Sequence, residues 1–391
     1  MKASWALLMA GILLVSSNLS ARTWYITPDA TGDAPTIQAG VDSASAGDTV
    51  LLANGTFTGP GNRDIEYFGK AITVRSESGD PGICTIDCEG AARAFVFQHG
   101  EDAGSVLEDV TITRGYASWG GAIDFDYGAG PIIRGCNFVS NSAADWGGGG
   151  AINSDAMYTD LRITGCTFSG NTAGYGGALY FYGQWFGDIV DSCLFIGNSA
   201  VLGGVVATMD GHYIGDFRHC TFVENSASEG GVAWTHNGTI GLVGCTFVKN
   251  SAPEGSAVYC HGGSSGQVEI RMYNCIVGYG TGGFAVDSEA NEWSLGAVLN
   301  CCNVWGNYGG DWEGEIQDQL GLYGNISVCP AFCNIAAAPY DLQLCDESPC
   351  LPGNHPDGYD CGLIGAWEEG CTCGPTRIES TTWGGIKSLY R

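Results

Sequence analysis

The segment CTFSGNTAGYGGALYF, residues 166–181, decides the fold. Counting its cysteine as zero, phenylalanine stands at +2, asparagine at +5 and a glycine pair at +10 and +11. The same order returns in CLFIGNSAVLGGVVAT from Cys193, CTFVENSASEGGVAWT from Cys220 and CTFVKNSAPEGSAVYC from Cys245, where Ser256 replaces the second glycine. The copy at Cys136 keeps Phe138 and Asn141, then carries a three-residue insertion before Gly149 and Gly150. Val110, Ile112, Gly115, Gly120 and Gly121 occupy the same offsets with other side chains. Cys275 with Val277, and Cys302 with Val304 and Asn307, are worn copies. Markers 110, 136, 166, 193, 220, 245, 275 and 302 are 25 to 30 residues apart, so a solenoid is expected.

The segments between glycines are short, β-branched or aromatic, and alternate with period two, which excludes a helical solenoid. A parallel β-helix stacks one repeat per coil at about 4.8 Å, so equivalent side chains form columns. The cysteine and phenylalanine columns should point inward. The asparagine column should sit at a corner, its residues taking left-handed backbone and bonding amide to amide between coils. The glycine pair supplies a second corner without a Cβ clash. The fold class is all-β, a parallel β-helix with an N-terminal cap and Cys-rich closing coils.

Phe168-Ser-Gly-Asn171 followed by Gly176-Gly-Ala-Leu179 resembles the FxxN and GGA[IL] repeat of polymorphic outer membrane proteins. Those proteins belong to the right-handed, pectin-lyase-like β-helix superfamily. PTIQAGVDSASAGDTVLLANGTF, residues 35–57, resembles the capping helix and first strand of that superfamily, and YDLQLCDESPCLP resembles its closing coils. The resemblance implies a surface protein, outer-membrane association and a polysaccharide partner. For an enzyme it implies a polysaccharide lyase or glycoside hydrolase. No catalytic set carries over: His99 and His261 only echo a polygalacturonase motif, and no Arg-Ile-Lys occurs within the coils.

The 391 residues include 63 glycines, 11 tryptophans and 17 tyrosines, with 45% hydrophobic and 15% charged, which excludes a disordered chain. Lys2 and the apolar run Trp5 to Ser17 read as a secretory signal with cleavage near Ala21. The expected organisation is signal 1–21, N-terminal cap and first strand 22–65, coils 66–318, Cys-rich closing coils 319–374 and a tail 375–391. Nothing after the signal reaches membrane-spanning length. A net charge of −27 argues against nucleic acid as a partner. The expected location is secreted or cell-surface.

Fourteen of the 18 cysteines fall into two groups of seven. Cys136, Cys166, Cys193, Cys220, Cys245, Cys275 and Cys302 form the inward column and should remain thiols. Cys329, Cys333, Cys345, Cys350, Cys361, Cys371 and Cys373 crowd the closing segment and should form disulfides, with Cys301 or Cys302 available for the odd member.

Beyond each glycine pair, period-two alternation sends the third and fifth residues outward. The outward set includes Tyr180, Tyr182, Trp234, Tyr259, His236 and His261, read here as a glycan-binding face of aromatic platforms and hydrogen-bonding groups. Asp124, Asp126, Asn153 and Asp155 fall on the same face and suggest a calcium site, since neighbouring coils would gather several oxygens. No cofactor is otherwise required. His212 and His219 read as plain surface residues. The expected function is binding or adhesion, with an extracellular polysaccharide or cell-surface glycan as partner. A polysaccharide lyase or hydrolase, or a structural surface component, is the alternative.

Overall fold

The computed structural model describes residues 20–155, 160–183, 188–211, 215–262, 269–289 and 296–373. Most of the expected signal segment 1–21, the expected tail 375–391 and His212 lie outside the described residues.

The coil containing Cys166 shows how the sequence builds each turn. Arg162–Thr164 joins an 11-stranded sheet and Thr167–Ser169 a 10-stranded sheet. Thr172–Tyr175 then joins a short four-stranded sheet, and Leu179–Tyr182 a nine-stranded one. Pairing between coils is parallel and in register, as in Phe168↔Phe195 and Tyr180↔Ala207. The chain is a parallel β-helix. The segment Ile37–Ser43 forms the expected capping helix, started by Thr36, whose hydroxyl accepts from Ala39 N at 3.2 Å.

The inward columns are as expected. Phe138, Phe168, Phe195, Phe222 and Phe247 stack ring on ring at 4.7–5.1 Å. All seven column cysteines are buried thiols, and burial pushes Cys136 and Cys302 well above the usual thiol range. Asn141, Asn171, Asn198, Asn225 and Asn250 are buried and form one continuous amide ladder.

The corner is made differently from the expectation. The ladder asparagines do not take left-handed backbone; the residue before each does, at Ser140, Gly170, Gly197, Glu224 and Lys249, with φ of 54–62°. The residue before each column cysteine does the same, for example Ser192 (φ 54°) and His219 (φ 50°). A single left-handed residue reverses the pleat, so the next side chain turns inward and can bond along the stack. In the glycine pair the first member has positive φ, as at Gly176 and Gly203. The second is required by close approach: a Cβ on Gly177 would lie 2.3 Å from Gly204 O.

The closing segment is stapled by Cys301–Cys361, Cys333–Cys371 and Cys345–Cys373. Trp312 and Ile316 close the end of the main core. Beyond them the chain adds one partial coil, bridged in parallel at Asn303↔Ile326, and then turns back along the flank. Leu342, Phe332, Ile335 and Tyr340 pack on Ile196, Val223 and Val248 of the 10-stranded sheet. Trp367 Nε1 donates to Thr221 Oγ1 and Ala366 N to Thr246 Oγ1, both at 2.9 Å. The outward β-branched residues of that sheet are what it covers.

Twelve cysteines remain thiols, of which only Cys329 is exposed. Besides the column, Cys84, Cys88, Cys260 and Cys350 are buried, and burial pushes Cys84 up to about 12. The native protein should therefore titrate one fast thiol with a bulky aromatic disulfide reagent, rising to twelve after denaturation without reductant. A mass spectrum linking Cys166 to Cys193 would contradict this pairing.

Candidate functional site

Register places the outward columns of the nine-stranded sheet where alternation puts them. Asp124, Asn153, Tyr180, Ala207, Trp234 and Tyr259 are consecutive partners, as are Tyr182, Met209, His236 and His261. Their accessibility differs from the expectation of an open aromatic platform. Tyr180, Trp234 and Tyr259 are only 3–4% exposed and pack with Ala207, Tyr175, Leu202 and Met209 into a second small core outside the tube. The cause is the residue preceding each glycine pair. Tyr175, Leu202, Glu229 and Glu254 are bridged in one column, and the glycine turn lays that column beside the rings. Trp234 Nε1 donates to Glu229 Oε2 at 2.9 Å, which fixes the indole in place. These three rings are packing, and of the four aromatics only Tyr182, 40% exposed, offers a free face.

His236 and His261 are half-buried neighbours with ring centres 5.2 Å apart. His261 Nδ1 lies 3.2 Å from Glu289 Oε2. Burial, then the neighbouring His261, lowers the His236 pKa, against a weaker opposing pull from Asp210. His219 is on the surface as expected, its Nδ1 3.1 Å from Asp191 Oδ1.

Three coils away along the same face, an open groove of about 630 Å³ lies over Asp124, Asp126, Asn153 and Asp155. Trp119, Trp146 and Tyr182 line it, with Trp119 41% and Trp146 71% exposed. The insertion after Asn141 makes this groove. It projects Trp146 and places Gly148 in the column that otherwise holds Tyr175 and Leu202. A Cβ on Gly148 would meet the Tyr180 ring at 2.4 Å and Trp119 at 2.9 Å. The space a side chain would take is filled by those two rings, both of which line the groove. Sequence reasoning noted the insertion but passed over Trp119 and Trp146; a tryptophan just before Gly120-Gly121 and another before Gly147–Gly150 were the available signal.

The polar floor is a small network. Arg93 pairs with Asp124, whose Oδ1 also accepts from Asn153 Nδ2 at 2.8 Å. That bond orients the amide and leaves Asn153 Oδ1, buried, without a hydrogen-bond partner. Burial raises the Asp124 carboxyl, with Arg93 opposing. Burial also raises Asp155, helped by the charges of Asp126 and Asp124. The four expected calcium ligands thus share one groove. Calcium takes about six to eight oxygens converging on one point. Among the described residues, the three carboxylates do not bring ligand atoms within 4.8 Å of one another. Only Cys345, Asp346 and Cys373 do so, and the two sulfurs there are a disulfide.

The family described as right handed beta helix region matches residues 98–277. No curated protein matches the chain. Among solved structures, a pectate lyase aligns at 12% identity and a TM-score of 0.39, over 90% of this chain and 98% of that one. A mannuronic acid specific family 6 lyase from human gut microbiota aligns at 13% and 0.38, over 81% and 89%. A family 6 alginate lyase aligns at 12% and 0.30, over 93% and 60%. The fold is a right-handed parallel β-helix. Among the described residues no helix is long and apolar enough to cross a membrane.

Proposed function

We propose that this is a secreted or cell-surface protein that binds a polysaccharide in the groove between Trp119, Trp146 and Tyr182. The observation that carries this reading is the accessibility of those three rings around an open groove, while the other aromatics of the face are packed. Sugar rings present apolar C–H faces that stack on such platforms, and carboxylates and amides between them hold the hydroxyls. Asp124, Asn153 and Tyr182 stand on a stack of in-register strands, so the floor is preorganised without a ligand, while Trp119 and Trp146 flank it from the turns. His236 and His261 lie further along the same face and extend the track that a long chain would follow. Export is supported by the apolar N-terminal run and three disulfides.

Binding without cleavage is the simpler chemistry for this set, because the basic group nearest the carboxylates, Arg93, is already paired with Asp124. A second reading, a hydrolase or lyase, draws on the raised Asp155 carboxyl, a property that general acids share. One experiment separates them: pass soluble and insoluble polysaccharides over the protein and score retention and chain shortening together. Trp146→Ala is expected to weaken retention at least five-fold, with the melting temperature unchanged because the ring is 71% exposed. Retention unaffected by both Trp146→Ala and Trp119→Ala would remove the groove from consideration. Shortened chains that disappear with Asp155→Asn would establish the enzyme.

A further inference from the structure

We infer that the groove selects a glycan bearing primary ammonium groups, of the de-N-acetylated amino-sugar class; this rests on the reading of the groove as a polysaccharide site.

The inventory of donors and acceptors leads there. Three carboxylates line the groove, and among the described residues no lysine, arginine or histidine does. The nearest cation, Arg93, is spent on Asp124. Among the described residues Asp126 Oδ1 accepts only from Tyr127 N, at 2.7 Å, and the Asp155 carboxylate has no hydrogen bond or ion pair, its backbone N–H alone being paired, to Phe125 O. Asn153, 4% exposed, adds an acceptor oxygen with no donor, since its Nδ2 is held by Asp124. The phenols and indoles around the floor can donate hydrogen bonds, but among the described residues the floor holds no unpaired positive charge to set against Asp126 and Asp155. A ligand has to bring that charge.

Three ligand classes fit less well. A polyuronate would bring further carboxylates against Asp126 and Asp155, and like charges at close range repel. A neutral glycan could donate hydroxyls to Asn153, but it would cover two carboxylates without compensating their charge. A hard metal ion needs its oxygens converged, and these carboxylates stay apart. An ammonium group on a sugar ring is larger, donates three hydrogen bonds and tolerates dispersed acceptors. It also interacts favourably with indole and phenol faces, and Trp119, Trp146 and Tyr182 surround the same space. The raised Asp155 carboxyl agrees with a site whose negative charge awaits a partner.

The test compares four probes on the full chain at physiological salt: a β-1,4 glucosamine hexamer, its N-acetylated form, the corresponding glucose hexamer, and calcium chloride alone. The glucosamine hexamer is expected to bind at least ten-fold more tightly than either neutral hexamer. Asp155→Asn should bring that ratio close to one. Glu347→Gln, an exposed carboxylate far along the chain, controls for diffuse attraction to an acidic protein and should change nothing. Equal binding of all three hexamers would overturn the preference and leave the groove a glycan site. Binding of none would overturn the polysaccharide reading itself. A glucosamine preference that survives Asp155→Asn and Trp146→Ala would overturn the inference by placing attraction elsewhere. So would calcium binding that Asp155→Asn abolishes, which would assign the carboxylates to a metal.

Discussion

Gly177→Ala should leave little folded protein. The added Cβ would lie 2.3 Å from Gly204 O and within 2.8 Å of two backbone atoms of Ser199, all in the next coil. Real carbon atoms do not approach backbone so closely, and no side chain is present to move aside. The coils must separate locally, which breaks Gly177 N→Gly203 O and its neighbours. Overpacking in a close-packed interior typically costs about 1–3 kcal/mol when side chains can adjust; here only backbone can, so at least about 3 kcal/mol is expected. Ser256 does not contradict this. It precedes the worn copy at Cys275, and its N–H donates to Phe284 O instead of to a glycine of a following pair. Gly170→Lys is the matched control: it has positive φ, but the equivalent positions already carry Glu224 and Lys249, and a Cβ there meets only Ser140 Oγ at 3.8 Å. It should cost about 1 kcal/mol. Urea unfolding followed by circular dichroism compares the two, and a Gly177→Ala midpoint near wild type would refute close coil approach as the reason for the glycine.

Asn198→Ala is expected to cost about 2–4 kcal/mol. Asn198 Oδ1 accepts from Asn171 N at 3.0 Å and from Asn171 Nδ2 at 2.9 Å. Its own Nδ2 donates to Asn225 Oδ1 and Phe168 O, both at 3.0 Å. Truncation therefore leaves a buried backbone N–H without its acceptor and removes one bond from each of three further groups, Asn171 Nδ2, Asn225 Oδ1 and Phe168 O. An unmet buried donor costs more than the net gain from the bond it made. Asn198→Asp should be worse, because the carboxylate would face Asn225 Oδ1 with no donor between them. In a solenoid each coil contacts only its neighbours, so the damage should be local, with protease cutting near coil 193–220 before other coils open. An unfolding shift under about 0.5 kcal/mol for Asn198→Ala would mean the ladder is ornamental.

The repeat spacing alone determined the parallel β-helix, the inward cysteine and phenylalanine columns, the asparagine ladder and the outward alternation on the nine-stranded sheet. These features are local and recur with each coil. Period-two alternation fixes which side of a strand a residue occupies, and a constant period fixes its partner above and below. What covers an outward side chain is a different matter, because it depends on neighbours that the period does not specify. Tyr180 and Trp234 alternate outward like Tyr182, yet the column of Tyr175, Leu202 and Glu229 closes over them. The backbone turn at each glycine pair sets that closure, and only the assembled coil reveals its angle. The same holds for Gly148, which pairs with Tyr175 in that column and whose missing side chain lets the Tyr180 ring and Trp119 close in on its backbone. It holds for the closing segment too: cysteine density announced the disulfides, but its path back over Val223 and Val248 follows from long-range packing of apolar surface, which leaves no periodic trace.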